Sequence, residues 1–229
     1  MKKILFLTIT FLLFTSCSND ENDLTSNLST TPTAKQEFDS TNFGIYKGVF
    51  VGSSGVVLID LKNNGSTISA KLSIDGINLN FTSNQIVNLN SNTTISFNNG
   101  ENSFTFSVNS DGSSPEISNL SITNHPLSEM IVVKEKSNLL VKCFEGTYTG
   151  GESGIFNSIL YGNQVIGVVK SSQNNIYIST GSVVNNQVTL GNVSTGATFN
   201  GTFNGNTCSG TWQNVNFNLN GNWSGIRTL

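Results

Sequence analysis

The chain has 229 residues, 11 % of them charged and 36 % hydrophobic, with 11 basic against 14 acidic groups and a net charge of −3. About a quarter of a typical globular chain is charged; here Ser, Thr, Asn and Gly stand in for the missing charges, a palette that favours strands and tight turns over helices. An acidic chain without a polybasic stretch is a poor partner for nucleic acid, and none is expected.

The first elements are a basic Met1-Lys2-Lys3, an apolar run from Ile4 to Phe14, and the small residues Thr15-Ser16 before Cys17. This is the layout of a secretory signal. Its apolar run is about half the ~20 residues a membrane-spanning helix needs. Phe14-Thr15-Ser16-Cys17 resembles the lipobox of bacterial lipoprotein precursors, although Phe14 stands where that motif usually has leucine. The resemblance implies cleavage after residue 16, lipid attachment (diacylglyceryl, with a palmitate-type acyl chain) at Cys17, and a membrane partner through that anchor. Acyl chains contribute about 0.8 kcal/mol per buried CH₂, so two or three anchor stably. Loss of residues 1–16 removes Lys2 and Lys3 and leaves 9 basic against 14 acidic groups, a net −5. Asn19-Asp20-Glu21-Asn22-Asp23 resembles the acidic stretch behind the lipidated cysteine of Bacteroidota surface lipoproteins. It implies an outer-membrane protein facing the cell exterior.

Residues 17–41 have few apolar positions and no periodicity, and read as a disordered tether. Such a segment spans about 27 Å on average, enough to lift a folded body off a membrane.

From Phe43 onward the texture is alternation. Ile77–Phe81, Phe104–Val108 and Val215–Leu219 each alternate apolar and polar residues, the pattern of strands with one wet face. Asn64-Gly65, Asp75-Gly76, Asn99-Gly100, Asp111-Gly112, Gly162-Asn163, Asn204-Gly205 and Asn220-Gly221 supply hairpin turns between them. Val132-Val133 make Leu127–Lys136 a strand rather than a helix. Thr198–Phe203, Asn204-Gly205 and Thr207–Trp212 form a hairpin, and Asn222–Arg227 a closing strand. The expected fold is all-β, an antiparallel meander closed into a barrel or folded as a sandwich. Transmembrane strands run 9–11 residues, longer than most runs here.

The body reads as an internal duplication of two halves of roughly 90–100 residues, over 42–136 and 137–229, either as two small domains or as one larger sheet structure built from both. Phe43–Gly48 matches Phe144–Gly150, Ser54-Gly55-Val56 matches Ser153-Gly154-Ile155, Asn63-Asn64-Gly65 sits opposite Tyr161-Gly162-Asn163, and Phe104–Phe106 lines up with Phe199–Phe203. In outline the Gly-x-Trp-rich meander looks like small ligand-binding barrels such as lipocalins and avidins, a likeness of architecture that carries no binding residue over.

Cys143 and Cys208 remain once Cys17 is lipidated, a candidate disulfide in a compartment where disulfides persist. Between Ser153 and Ile226 the one charged residue is Lys170, so the second half lacks the groups of general acid–base catalysis and of metal ligation. His125 is the sole histidine, in a turn, with no nucleophile motif near any serine. Asp60, Asp75, Asp111, Glu116 and Glu129 are scattered, and turn duty accounts for Asp75 and Asp111. No cofactor, metal or catalytic residue is expected. Trp212, Trp223, Tyr148, Tyr161 and Tyr177, flanked by amides and hydroxyls, are the candidate ligand-binding residues, for a glycan or a small hydrophobic molecule; the competing reading makes the tryptophans core. The expected function is a lipid-anchored, non-enzymatic surface module that binds a surface ligand or protein. The alternatives are a structural or adhesive component pairing edge to edge, and a hydrolase with a hidden carboxylate pair.

Overall fold

A computed structural model describes residues 28–192 and 194–229. The signal segment, Cys17, the acidic stretch behind it and the tether up to residue 27 lie outside the described residues. The body is all-β. The first eight strands are β1 (Gly44–Val51), β2 (Ser54–Leu61), β3 (Ile68–Ile74), β4 (Ile77–Ser83), β5 (Thr93–Asn99), β6 (Asn102–Val108), β7 (Glu116–Ser121) and β8 (Glu129–Glu135). The second eight are β9 (Val141–Gly150), β10 (Gly154–Tyr161), β11 (Gln164–Ser171), β12 (Ile176–Val184), β13 (Gln187–Asn192), β14 (Ala197–Asn204), β15 (Thr207–Asn214) and β16 (Leu219–Arg227).

Each half is an antiparallel up-and-down meander in which the first strand turns back to pair with the last. In the second half β9 pairs with both β10 and β16, closing an eight-stranded barrel. In the first half β1 pairs with β2 and β8 in the same way, but the ladder is open between β7 and β8, and β4 and β5 share a single residue pair. One barrel is closed and the other nearly so, as an internal duplication gives. The paired segments of the sequence fall on equivalent strands: β1 with β9, β2 with β10, β6 with β14.

Eight strands leave an interior just wide enough for side chains to fill. Phe50, Phe81, Phe97, Phe104 and Phe106 fill the first, each at most 1 % exposed. Phe144, Phe156, Phe199, Phe203, Trp212 and Trp223 fill the second. Glycine on the second wall makes the indoles fit: a Cβ at Gly201 would lie 2.6 Å from Trp223 Cζ2, and one at Gly221 2.7 Å from Trp212 Nε1.

The barrels pack wall to wall. Strand β1 is buried along its whole length, because its inward side chains fill the first barrel and its outward Val49 and Val51 meet Val141, Cys143, Ile159 and Val168 of the second. Polar groups within this seam are paired. Asn157 Nδ2 donates to Phe50 O at 2.8 Å, and Glu145 accepts from Ser54 Oγ and Thr228 Oγ1 at 2.8 and 2.6 Å. Lys170 Nζ, on the outer face of β11, donates to Gly52 O and Leu127 O at 2.8 Å each. Fully buried Glu135 meets Lys47 Nζ at 2.6 Å and accepts from Val141 N, where the chain enters the second barrel.

Three expectations are corrected. Residues 28–41, expected as the last part of a disordered tether, pack on the body, with Thr33 donating through N and Oγ1 to Glu135, Lys35 N donating to Asn63 Oδ1, and Asp39 accepting from Ser137. A buried carboxylate supplies this anchorage, which composition does not reveal. Cys143 and Cys208 are not bonded to each other; both are free and buried. They sit on opposite faces of the wall, Cys143 in the seam and Cys208 in the second barrel's interior. Burial pushes both thiols up to about 12, so they stay protonated at neutral pH. The Val215–Leu219 alternation is no strand: 215–218 is the turn between β15 and β16, whereas Asn220-Gly221 lies inside β16.

Removing one partner of a buried ion pair leaves the other charge buried and uncompensated. Glu135→Ala is expected to lower the unfolding free energy in urea by about 3–5 kcal/mol, whereas the paired replacement Lys47→Met with Glu135→Leu, which leaves no buried charge, loses less, the remainder being the acceptor taken from Val141 and Thr33.

Candidate functional site

The second barrel has a mouth and a floor. The mouth carries the β9–β10, β11–β12, β13–β14 and β15–β16 connections; the floor carries the other three and the C-terminal end of β16. At the mouth the aromatic filling stops short of the rim and leaves a cavity of ≈ 90 Å³. Its walls are Tyr148 from β9, Tyr177 from β12, Phe199 from β14 and Trp212 from β15, with Phe217 of the β15–β16 turn at the rim.

These rings are the upper end of one continuous stack. Phe156 lies against Trp223 and Phe199 with centroids 4.9 Å apart in each case, Phe199 stacks on Trp212 at 6.3 Å, and Tyr148 meets Trp212 edge-on at 5.4 Å and 89°. Edge-to-face and offset contacts suit the ring quadrupoles. Both indole N–H groups are satisfied. Trp212 Nε1 donates to Thr149 O at 2.9 Å; Trp223 Nε1 is shared between Asn200 O and Thr211 O at 3.3 and 3.2 Å.

Asparagines hold the rim. Asn192 donates to Ile178 O and accepts from Ser194 Oγ and Thr195 N. Asn216 Nδ2 reaches across to Thr195 O at 3.0 Å, tying the β15–β16 turn to the β13–β14 turn. Its own N–H donates to Asn214 Oδ1, and Asn218 completes the turn at φ 52°, a conformation asparagine tolerates. The lashed turn leaves Phe217 69 % exposed, an unusual setting for a phenylalanine.

Two further groups line the cavity. Glu152, half-buried in the β9–β10 connection, is its one charged side chain. Desolvation raises the Tyr148 hydroxyl above its usual range, the Glu152 carboxylate and Tyr177 adding to it, so the phenol stays neutral. Ser179, two residues from Tyr177 on the inward face of β12, is 1 % exposed, and its Oγ has no hydrogen-bond partner.

Of the five aromatic candidates the structure therefore brings Tyr148, Tyr177 and Trp212 together. Trp223 lies deeper, in the core, and Tyr161 packs in the seam between the barrels. Sequence reasoning missed Phe217, Glu152 and Ser179. Phe217 was hidden by an alternation that reads as a strand. Glu152 had a signal, being the last carboxylate before a stretch whose one charge is Lys170.

The first barrel's equivalent end is closed. The β7–β8 connection folds over it, burying Ile122 and setting His125 edge-on to Phe50 with centroids 5.5 Å apart, while His125 Nε2 lies 3.3 Å from Asp75 Oδ2. Asp111 is elsewhere, in the β6–β7 turn, where hydrogen bonds from Ser113 hold its carboxyl below the usual range. Asp60 receives Asn63 N and Asn64 Nδ2. No family model, characterised protein or solved structure matches this chain.

Proposed function

We propose that this protein is a lipid-anchored surface module whose second barrel binds a small ligand, or the end group of a larger one, in its mouth, without catalysis. The observation that carries the reading is the cavity itself. In a barrel filled by large side chains, four aromatic walls and an exposed Phe217 surround unfilled space. Concave, mostly apolar sites with a few convergent polar groups are the usual form of a ligand pocket. The first barrel, with its corresponding end covered, serves as the platform.

The way the chain enters supports the anchoring. Arg227 Nη2, at the floor end of β16, donates to Ser29 O at 2.6 Å. The segment leading back towards Cys17 thus reaches the second barrel at its floor, the end away from the mouth. A protein held to an outer membrane through Cys17 would present the mouth outward. Edge-to-edge adhesion, the alternative, would use β7 or β8, the two edges of the open ladder. Strand β7 has a register shift against β6 and a positive φ at Asn119, features that blunt an edge.

Two measurements test the reading. Titration of intrinsic tryptophan fluorescence with a panel of glycans and small hydrophobic ligands should give a saturable change. Phe217→Ser should weaken that response several-fold without lowering the unfolding midpoint, because the ring is exposed in the unbound protein; a flat response across the panel would remove the binding role. Cys17→Ser should shift the expressed protein from the detergent phase to the aqueous phase in a phase-partition assay. Retention in the detergent phase would contradict the anchor.

A further inference from the structure

The mouth pocket is chemically one-sided. Aromatic side chains dominate it, its one charge is a carboxylate, and none of its described lining residues is basic. Most of its amide capacity is already used: Asn192 is committed to Ile178, Ser194 and Thr195, and Asn214 accepts through its oxygen from Asn216. A sugar ring needs several convergent hydrogen-bonding side chains, which this leaves thin. Aromatic faces together with a nearby carboxylate are instead what a cation seeks, since the ring quadrupole presents negative charge on its face.

We propose that the mouth of the second barrel recognises a small organic cation, an alkylated ammonium head carrying a hydroxyl, with the head between Tyr148, Tyr177 and Trp212, its charge balanced by Glu152, and its hydroxyl bonded to Ser179 Oγ. The proposal rests on the binding reading above and names the ligand class. Ser179 is the independent observation. A buried hydroxyl without a partner carries a desolvation cost that a ligand group relieves, and this one belongs to a residue of the cavity wall. The cavity of ≈ 90 Å³ is smaller than the roughly 150 Å³ that admits a benzene ring, so the slender hydroxyl-bearing end enters and the alkylated head, as bulky as that ring, stays at the aromatic mouth.

The test uses the whole chain and three probes read by tryptophan fluorescence: choline, its neutral carbon isostere 3,3-dimethylbutan-1-ol, and N-acetylglucosamine. Choline should saturate the signal and bind roughly ten-fold or more tightly than the isostere, the difference isolating the charge. Glu152→Gln, at a half-exposed turn position, should remove most of that preference and leave the isostere unchanged. Ser179→Ala should weaken choline several-fold and leave tetramethylammonium, which lacks the hydroxyl, unaffected. Equal binding of choline and the isostere would overturn the cation proposal and leave the binding function standing, as would saturation by the sugar alone. A flat response to every probe would remove both.

Discussion

The interior of a closed eight-stranded barrel holds one stack of large side chains, and everything distinctive about this protein follows from how the second barrel fills it. The stack from Phe203 and Trp223 through Phe156 and Phe199 to Trp212 and Tyr148 is the barrel's core. Its upper rings are also the wall of the cavity, so stability and the binding proposed for the mouth draw on the same side chains. Glycines at 201 and 221 help to allow it: a Cβ there would run into Trp223 or Trp212 and, closer still, into a carbonyl of the neighbouring strand. Rigid aromatic walls cost little conformational entropy on binding, which suits a small site with few polar contacts.

The seam between the barrels gives the arrangement its asymmetry. Valines and isoleucines from both walls bury one another, while Asn157, Glu145 and Glu135 satisfy the backbone and side-chain groups trapped among them. Glu135 joins three pieces of chain: β1 through Lys47, the entry to the second barrel through Val141, and the N-terminal segment through Thr33. The first barrel, filled with phenylalanines and closed at its end by the β7–β8 connection, is fixed against the outer faces of β9, β10 and β11. The two barrels share one plan, consistent with an internal duplication, the first closed over at its end and the second with a mouth.

Much of the fold was legible. Asp75-Gly76 and Gly162-Asn163 occupy the turns their positive φ values serve, and the hairpin through Asn204-Gly205 falls in place. The matched segments of the two halves landed on equivalent strands because hairpin chemistry and the period of two are local properties. What failed was non-local. Val215–Leu219 alternates because its asparagines build a turn and its apolar residues edge a cavity, a pattern that mimics a strand. Gly221 follows an asparagine yet lies in a strand, since its role is to accommodate Trp212 rather than to turn the chain. The attachment of Thr33 and Lys35 depends on Glu135 and Asn63, far away in sequence. Three of the five aromatic candidates share the site. Trp223 and Tyr161 differ from them in depth and in wall face, which the sequence specifies only once closure is known.

The measurement that bears most directly on this account follows the two indole Nε1–H resonances in a nitrogen–proton correlation spectrum during titration with choline and with N-acetylglucosamine. Only two such signals exist, one at the mouth and one below it. The account predicts that the Trp212 signal moves saturably with one of these small molecules while that of Trp223 holds its position. Movement of Trp223 with Trp212 unchanged, or no movement of either, would contradict a binding site at the mouth of the second barrel.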